Sequence, residues 1–568
     1  MPQIVECVPN FSEGRDRRVI DAITAEITKI PGAVLLDVDP GEATNRTVVT
    51  FVGVPEAVLE AAFRAIAKAA EVIDMSKHRG EHPRMGATDV CPFIPVANIT
   101  MDECVALAKR LGERVGSELA IPVYLYEYAA SCLERKNLAD VRKGEYESLP
   151  TRVGDPFWKP DFGPDGFNSR SGATAIGARD FLIAYNVNLN TRDKKNAATI
   201  AQRIREQGWP QRDENGKIIR DAEGSPIMTP GAFKAVKAVG WYIEEYRQAQ
   251  VSINLVNYKV SPPHIVFDEC CRLADELGFR VTGSELVGLI PLDAMLQAGC
   301  YYLKKQGKIT GVGEDELVRM AILSLGLDQL SPFDAQQKII EYRIRRPGRL
   351  VSLPVRQFVE ATASDSPAPG GGSVAALCGA LAAALVSMVA NLTHGRKAYL
   401  QHNDMMEAIA NRAQDLKARL VELIDRDTEA FDCVMAAMAL PKKTDEQKAE
   451  RDYRIQITTQ KAASVPFETL SLMPEIAQLA RTAAEIGNTN LTSDAGVAGL
   501  AVALAAHGAA YNVFINIQNL NDREYIEKTK TETKTLLAKV DAITAEVKAI
   551  VEERLFQVRG MKRDVIFV

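Results

Sequence analysis

No two of the nine cysteines are separated by two residues, and their number is odd. A disulfide framework and a cysteine zinc site both need spacings that are missing, so the expectation is reduced, buried thiols in a cytosolic protein. Also missing is a block of basic residues. The 68 Lys+Arg stand against 74 Asp+Glu for a net charge of −6, which argues against nucleic acid as the main partner. The opening Met1-Pro2-Gln3-Ile4-Val5-Glu6-Cys7 has neither the charged nor the apolar region of a signal peptide. Two apolar stretches, 374–390 and 495–510, are rich in Ala and Gly and shorter than the roughly 20 residues a membrane span requires. The second contains His507. Small residues at this density predict closely packed helices within a bundle and no membrane partner.

What is present reads as an ordinary soluble chain: 568 residues, 46% apolar and 25% charged. At roughly 150 residues per domain it is long enough for three or four domains with full cores. The first third alternates strand and helix patterns. Residues 4–8 are a short apolar run, Val19, Ile20, Ile23 and Ile27 have helical spacing, 33–38 and 46–54 read as strands, and Pro55 opens a second helix. The β-α-β-β-α-β order predicts a ferredoxin-like, split βαβ layout.

The chain also repeats itself. Asp102-Glu103-Cys104, Leu107-Ala108, Leu111-Gly112 and Gly116-Ser117-Glu118-Leu119 recur as Asp268-Glu269-Cys270, Leu273-Ala274, Leu277-Gly278 and Gly283-Ser284-Glu285-Leu286. Two related α/β subdomains are therefore expected, 1–180 and 181–326, with a ligand in the cleft between them. The polar segment 208–230 reads as a surface hairpin or loop, and 327–353 as a linker. From 354 to 568 the composition turns to Ala, Glu, Lys and Leu, predicting an all-α domain of six to eight helices.

Six histidines limit the candidates for proton transfer near neutral pH. His78 and His82 lie in a Gly- and Pro-containing stretch before the strand 89–94. Their spacing resembles a zinc pair, but Pro83 opposes the helix that such a pair needs. On residue types alone a structural or surface role for His82 competes evenly with a catalytic one. A second loop, Gly163-Pro164-Asp165-Gly166-Phe167-Asn168-Ser169-Arg170-Ser171-Gly172, offers glycines for close backbone approach and the Phe167 ring for a flat heterocycle; an ordinary interdomain turn is the competing reading. It carries no G-x-G-x-x-G.

In the α domain Gly370-Gly371-Gly372-Ser373 precedes a helix. Ser373 reads as an N-cap, and the free N–H groups as an anion site or a tight helix start; without Gly-Lys-Ser/Thr it is no P-loop. Asp427 falls on an apolar stripe formed by Leu420, Ile424, Phe431, Val434 and Met438, where burial raises a carboxyl's pKa and suits it to acid–base work. A buried ion pair at a subunit contact is the alternative. Asp425 faces elsewhere and is the reserve. Asn488 introduces the second small-residue helix as a candidate for binding a polar heterocycle, and Ser493 or Asp494 reads as its cap.

Cys7-Val8-Pro9-Asn10-Phe11-Ser12-Glu13-Gly14, the 80–87 loop, and Gly163-Pro164, Phe167, Gly172-Ala173 with Gly177-Ala178-Arg179 resemble glutamate formimidoyltransferase. The 368–373 loop, Asp427-x-x-Ala430-Phe431 and Ser493-Asp494 resemble formimidoyltetrahydrofolate cyclodeaminase. Their order resembles the bifunctional formimidoyltransferase–cyclodeaminases over nearly the whole chain. The resemblance implies transfer of a formimidoyl group from N-formimidoyl-L-glutamate to N5 of tetrahydrofolate, followed by ring closure to 5,10-methenyltetrahydrofolate with loss of ammonia, in histidine degradation. It places transferase proton transfer at His82, folate at Gly163–Gly172, and the cyclodeaminase pocket at Gly370, Gly371, Gly372, Ser373, Asn488 and Asp494 around Asp427. It implies tetrahydrofolate as co-substrate, no metal, and a homo-oligomer with dimer contacts through each half. Formyl transfer, or folate binding with an inert second half, are the alternatives.

Overall fold

A computed structural model describes residues 3–557 apart from 43, 81–82, 153–154, 156–157 and 346–347. The chain divides into two compact units, one of residues 3–298 and 322–345, the other of 299–321 and 348–557.

In the first unit the order is β1 (Ile4–Cys7), β2 (Asn10–Phe11), α1 (Arg17–Thr28), β3 (Ala33–Gly41), β4 (Arg46–Gly53), α2 (Pro55–Val72), β5 (Thr88–Ala97), α3 (Met101–Glu118) and β6 (Val123–Glu127). Short helices α4 (Leu138–Val141) and α5 (Glu145–Arg152) lead to β7 (Thr174–Ala178). These strands make one mixed sheet: β4 pairs antiparallel with β3 and β1, β1 with β5, and β7 lies parallel to both β5 and β6. Side chains alternate across a strand, so one face is odd-numbered and one even-numbered over β1 and β4. Val5, Cys7, Val49 and Phe51 point to the helix-covered core; Glu6, Arg46, Val48 and Thr50 point the other way and line a cavity.

The repeat follows as β8 (Ile183–Leu189), α6 (Lys194–Ile204), the short pair β9 (Trp209–Pro210) and β10 (Met228–Thr229), β11 (Val236–Ile243), β12 (Gln248–Leu255), α7 (Pro263–Glu276) and β13 (Val281–Val287). Its antiparallel strand order is β11-β12-β8-β13, and the corresponding strands of the first sheet run β3-β4-β1-β5. β9 and β10 close the base of the exposed 208–230 segment.

The duplicated sequence parts company with the duplicated structure at one point. Gly116-Ser117-Glu118 ends α3, whereas Gly283-Ser284-Glu285 lies within β13. In the second copy Gly278 adopts φ +77° just past α7 and stops it. In the first, Gly112 and Gly116 stay helical because the Phe162–Gly163 segment packs directly on them: an added Cβ on Gly116 would sit 2.4 Å from the Gly163 nitrogen.

Helices α8 (Leu292–Lys305) and α9 (Glu314–Leu325) follow, and then α10 (Ala335–Lys338) and α11 (Ile340–Ile344). The stretch read as a linker is largely built into the first unit: Ile339 bridges Ile290, and Ile340 is buried with Leu36 and Val52.

The second unit is helical: α12 (Val355–Thr362), α13 (Gly371–Thr393), α14 (Asn403–Met438), α15 (Asp445–Ile486), α16 (Thr492–Ile517) and α17 (Arg523–Gln557). Thr444 and Gln447 form a reciprocal capping box that starts α15. α13 and α16 are both long and apolar enough to cross a membrane by length and composition. Their alanines and glycines let backbones approach: a Cβ on Gly379 would meet Leu420 at 3.3 Å, and one on Gly508 would meet Ala375 at 3.2 Å. Two sequence expectations fail here. Ser373 is not an N-cap, because α13 starts at Gly371 with Gly370 as cap, and α16 starts at Thr492, which leaves Ser493 and Asp494 inside its first turn.

Leu420 is fully buried against α13. Leu420→Ala is expected to cost about 3 kcal/mol, read as a lowered midpoint of the helical circular-dichroism transition; an unshifted midpoint would contradict this packing.

Candidate active sites

In the first unit the even-numbered sheet face and the second sheet enclose a cavity of about 550 Å³. Residues of both repeats line it, among them Glu6, Asp39 and Tyr126 from the first and Lys237 and Asn254 from the second. Its size suits a small-molecule site. Burial dominates its carboxyls. Glu6, sealed between strands, is pushed up to about 7, with Arg179 pulling against the shift and Glu341 adding to it. Asp39 and Glu127 are raised for the same reason, burial, with Asp37 adding at Asp39 and Lys237 opposing at Glu127.

Arg46 and Arg142 line the same cavity and both donate to Oδ2 of Asp89, whose Oδ1 accepts from the Met85 backbone N–H at 2.9 Å. Burial alone would raise the Asp89 carboxyl, but the charges of Arg142 and Arg46 and the hydrogen bonds win and hold it below the usual carboxylate range. None of Glu6, Arg46, Asp89 or Arg142 was singled out from sequence. The signal was there in charged residues within strand patterns, at Glu6 between Val5 and Cys7 and at Asp89 opening its strand.

His82 lies outside the described residues. Its neighbour His78 is buried and held on both ring nitrogens. Arg84 Nε donates to Nδ1 at 3.2 Å, so Nε2 carries the proton that the Asn45 carbonyl accepts at 2.9 Å. Burial lowers the His78 pKa, and the neutral ring is a brace between loops. Arg84 continues the brace to Glu145 and Glu147.

The 163–172 loop is fastened largely through its backbone. Gly163 (φ +88°) and Gly172 (φ +66°) sit where a Cβ would strike the Ile121 and Met85 carbonyls at 2.5 and 2.1 Å. Asn168 Oδ1 accepts from the Arg170 and Ser171 N–H groups, the Ser169 carbonyl takes the Tyr146 hydroxyl, and the Arg170 carbonyl takes the Met75 N–H. Pro164, Asp165, Gly166 and Phe167 border a recess of only about 20 Å³. Phe167 is exposed beside Tyr146, with ring centroids 5.6 Å apart, and Gly166 faces open space. Two of the loop's three glycines thus serve packing, and the enclosed room for a heterocycle is in the cavity.

In the second unit Asp427 sits half-buried against the first turn of α13. Its carboxylate occupies the space a side chain at Gly372 would need: an added Cβ there would lie 2.2 Å from Oδ1. Ser373 Oγ donates to the Ile424 carbonyl at 2.9 Å and reaches Asp427 Oδ2 at 3.2 Å. Burial raises the Asp427 pKa, against hydrogen bonds from the Ser373 side chain and backbone. The helix N-terminus read as an anion site is thus already occupied by the protein's own carboxylate. Asn512, which sequence reasoning passed over, places its amide nitrogen 3.1 Å from the Cβ position at Gly371. A side-chain amide in an apolar helix, one of two with Asn516, was its only signal.

Asp425 does something else. Oδ1 accepts from the Leu350 N–H at 2.6 Å, which ties down the start of the domain. Within one chain Asn488 and Asp494 do not join Asp427. The Asn488 N–H donates to Thr393 Oγ1 at the far end of α13, about 30 Å from Ser373 at helical rise. Asp494 lies about 20 Å along α16 from Gly508, the residue opposite Ala375. Among the described residues no cluster of three or more His, Cys, Asp or Glu is arranged to hold a metal.

Models of known families match the chain in three consecutive blocks: formiminotransferase domain, N-terminal subdomain, over 4–179; formiminotransferase domain over 184–345; and formiminotransferase-cyclodeaminase over 354–535. The formimidoyltransferase-cyclodeaminase of Rattus norvegicus is 43% identical over 557 residues, covering 98% of this chain and 100% of the relative. The chain belongs to the formimidoyltransferase-cyclodeaminase family. Separate proteins match each half. A glutamate formimidoyltransferase of Streptococcus pyogenes serotype M1 is 43% identical over 304 residues, 54% of this chain and 94% of its own length. A methenyltetrahydrofolate cyclohydrolase of Methylorubrum extorquens is 40% identical over 201 residues, 35% of this chain and 97% of its own.

Because Glu6 binds its proton more tightly folded than unfolded, stability should fall as pH rises from about 4.5 to about 7 and level off above, by roughly 3 kcal/mol in all. Glu6→Gln should remove that fall. All three tryptophans lie in the first unit, so fluorescence-monitored denaturation across this range reads it directly; an unchanged slope in the variant would contradict the burial of this carboxyl.

Proposed function

We infer that this chain is a bifunctional folate enzyme of histidine degradation, acting on N-formimidoyl-L-glutamate and tetrahydrofolate. The observation that carries the reading is the raised, half-buried Asp427 carboxyl seated on Gly372, in a chain whose full length matches the bifunctional relatives. In the first reaction N5 of tetrahydrofolate attacks the formimidoyl carbon, and the glutamate nitrogen leaves after protonation. His82 takes the N5 proton and returns one to that nitrogen. The cavity takes the reacting groups, the pterin ring that carries N5 among them, and the 163–172 loop with its exposed Phe167 ring holds the rest of the folate. Donor specificity is for the formimidoyl rather than the formyl group.

In the second reaction N10 attacks the same carbon, closing the ring. The exocyclic nitrogen must be protonated before it leaves, because an amide anion is a poor leaving group. Asp427 holds a proton more readily than an ordinary aspartate and stands ready to give it to the departing nitrogen, and its carboxylate then takes the proton that N10 sheds. Gly370–Ser373 and Asn512 form the surrounding wall. No water is consumed and no metal is required by this chemistry.

The methenyltetrahydrofolate cyclohydrolase likeness favours a second reading of the helical half, hydrolysis of 5,10-methenyltetrahydrofolate. Both reactions pass through a tetrahedral carbon between N5 and N10, and they differ in whether ammonia leaves or water enters.

The shared strand order of the two sheets supports the ferredoxin-like reading of each repeat. A homo-oligomer is supported by α16, whose outer face bears Val497, Leu500, Leu504, Tyr511 and Ile515, all exposed and uncharged. Such a face also accounts for a soluble helix with membrane-like composition. Nine unbridged cysteines agree with a cytoplasmic setting.

A time course with both substrates should release methenyltetrahydrofolate and ammonia in equal amounts. His82→Ala should abolish transfer and leave ring closure of preformed 5-formimidoyltetrahydrofolate intact, and Asp427→Ala should do the reverse. Loss of both steps in each folded variant would refute separate sites. Gly372→Ala, by displacing the Asp427 carboxylate, should slow ring closure roughly 100-fold without touching transfer; wild-type ring closure in that variant would remove Asp427 from the reaction.

A further inference from the structure

Two guanidinium groups meet on one carboxylate in the wall of the first unit's cavity. Asp89 is fully buried, and Arg46 and Arg142 both donate to its Oδ2. Two positive charges against one negative leave a net charge of +1 in a place largely cut off from water. A buried charge is tolerated when it is paired, so this surplus calls for one more anion. The donors tell the same story. Each guanidinium has five N–H groups. Arg46 commits Nε to Asn10 Oδ1 at 3.1 Å and Nη1 to Asp89. Arg142 commits Nη2 to Asp89, and its Nε is buried with no hydrogen-bond partner among the described residues. Arg46 and Arg142 both line the cavity, so an anion bound there meets two guanidinium groups already fixed on Asp89.

The fastening is rigid. Asp89 Oδ1 is held by the Met85 backbone and Asn10 by the Val8 carbonyl, so the two arginines are oriented before anything binds. The planar fork of a guanidinium matches the flat, two-oxygen form of a carboxylate.

We propose that Arg46 and Arg142, positioned by Asp89, form a carboxylate clamp in the cavity that takes the glutamyl side-chain carboxylate of the formimidoyl donor. The proposal rests on the transferase reading and adds to it the group that selects an acidic donor. An aliphatic carboxylate has a second source here, the glutamyl tail of folate. The donor is the better fit. The clamp is set into the cavity wall beside the start of β5, in a cavity of about 550 Å³ that has room for a compact dicarboxylate; the glutamyl tail of folate is separated from N5 by the p-aminobenzoyl ring, whereas the donor's side-chain carboxylate lies only a few bonds from the nitrogen that leaves.

Arg142→Gln is the variant of choice, because Arg46 still compensates the buried Asp89. The KM for N-formimidoyl-L-glutamate should rise roughly 10- to 100-fold, the loss of one charge-assisted contact, with the KM for tetrahydrofolate within about threefold. A substrate change guards against a misfolded variant. Wild-type enzyme should discriminate by a similar factor against the donor whose side-chain carboxylate is replaced by a carboxamide, and Arg142→Gln should lose most of that discrimination. Ring closure of preformed 5-formimidoyltetrahydrofolate serves as the control for a folded chain. An unchanged donor KM, or equal discrimination in both enzymes, overturns the clamp. A rise confined to the KM for tetrahydrofolate, or growing with folate polyglutamate length, overturns the donor assignment and gives the clamp to the folate tail. Wild-type enzyme that transfers no formimidoyl group overturns the transferase reading itself.

Discussion

A charge sealed from water has to be answered inside the protein, and in the first unit that charge is Asp89. Its carboxylate gathers Arg46 from the start of β4, Arg142 from the end of α4 and the Met85 backbone from the loop before β5. Three distant segments are thereby held at one edge of the cavity. The sheet's two-residue period makes this possible. Alternate residues of β1 and β4 supply a helix-covered core, and the residues between them supply the polar face. Placing Glu6 and Arg46 on that second face costs stability, and the raised proton affinity of Glu6 is its visible sign.

The helical unit solves a related problem with smaller means. Asp427 must be close to the N-terminus of α13 yet largely out of water, and the only way in is over a residue with no side chain. Gly372 supplies the gap, and Ser373 the hydrogen bonds. The same economy of side chains lets α13 lie close against α14 and α16. Two carboxyls two residues apart on α14 then have separate tasks, Asp425 anchoring Leu350 and Asp427 seated on Gly372.

Much of this was legible in the chain. The helical stripe around Asp427 and the glycine run that starts α13 pointed to residues that the fold does bring together, because helical spacing is local information. The grouping of Asn488 and Asp494 with them was not borne by the single chain, since both lie toward the other end of long antiparallel helices. The cavity's arginines were invisible for the same reason in reverse: Arg46, Asp89 and Arg142 are far apart in sequence, and only the tertiary fold brings their side chains together.

The amino-acid sequence by itself determined the alternation of strands and helices, the repeat, the change to an all-helical second half and the family, because composition, period and motif are properties of neighbouring residues. Tertiary structure decided what identical words mean. Gly-Ser-Glu-Leu closes a helix after residue 115 and runs along a strand after residue 282. In the first place a loop lies on bare helix glycines and carries α3 onward; in the second, Gly278 turns the chain early and β8 takes up the following backbone as a partner. Local preference for either form is worth less than the packing and hydrogen bonds that surround it.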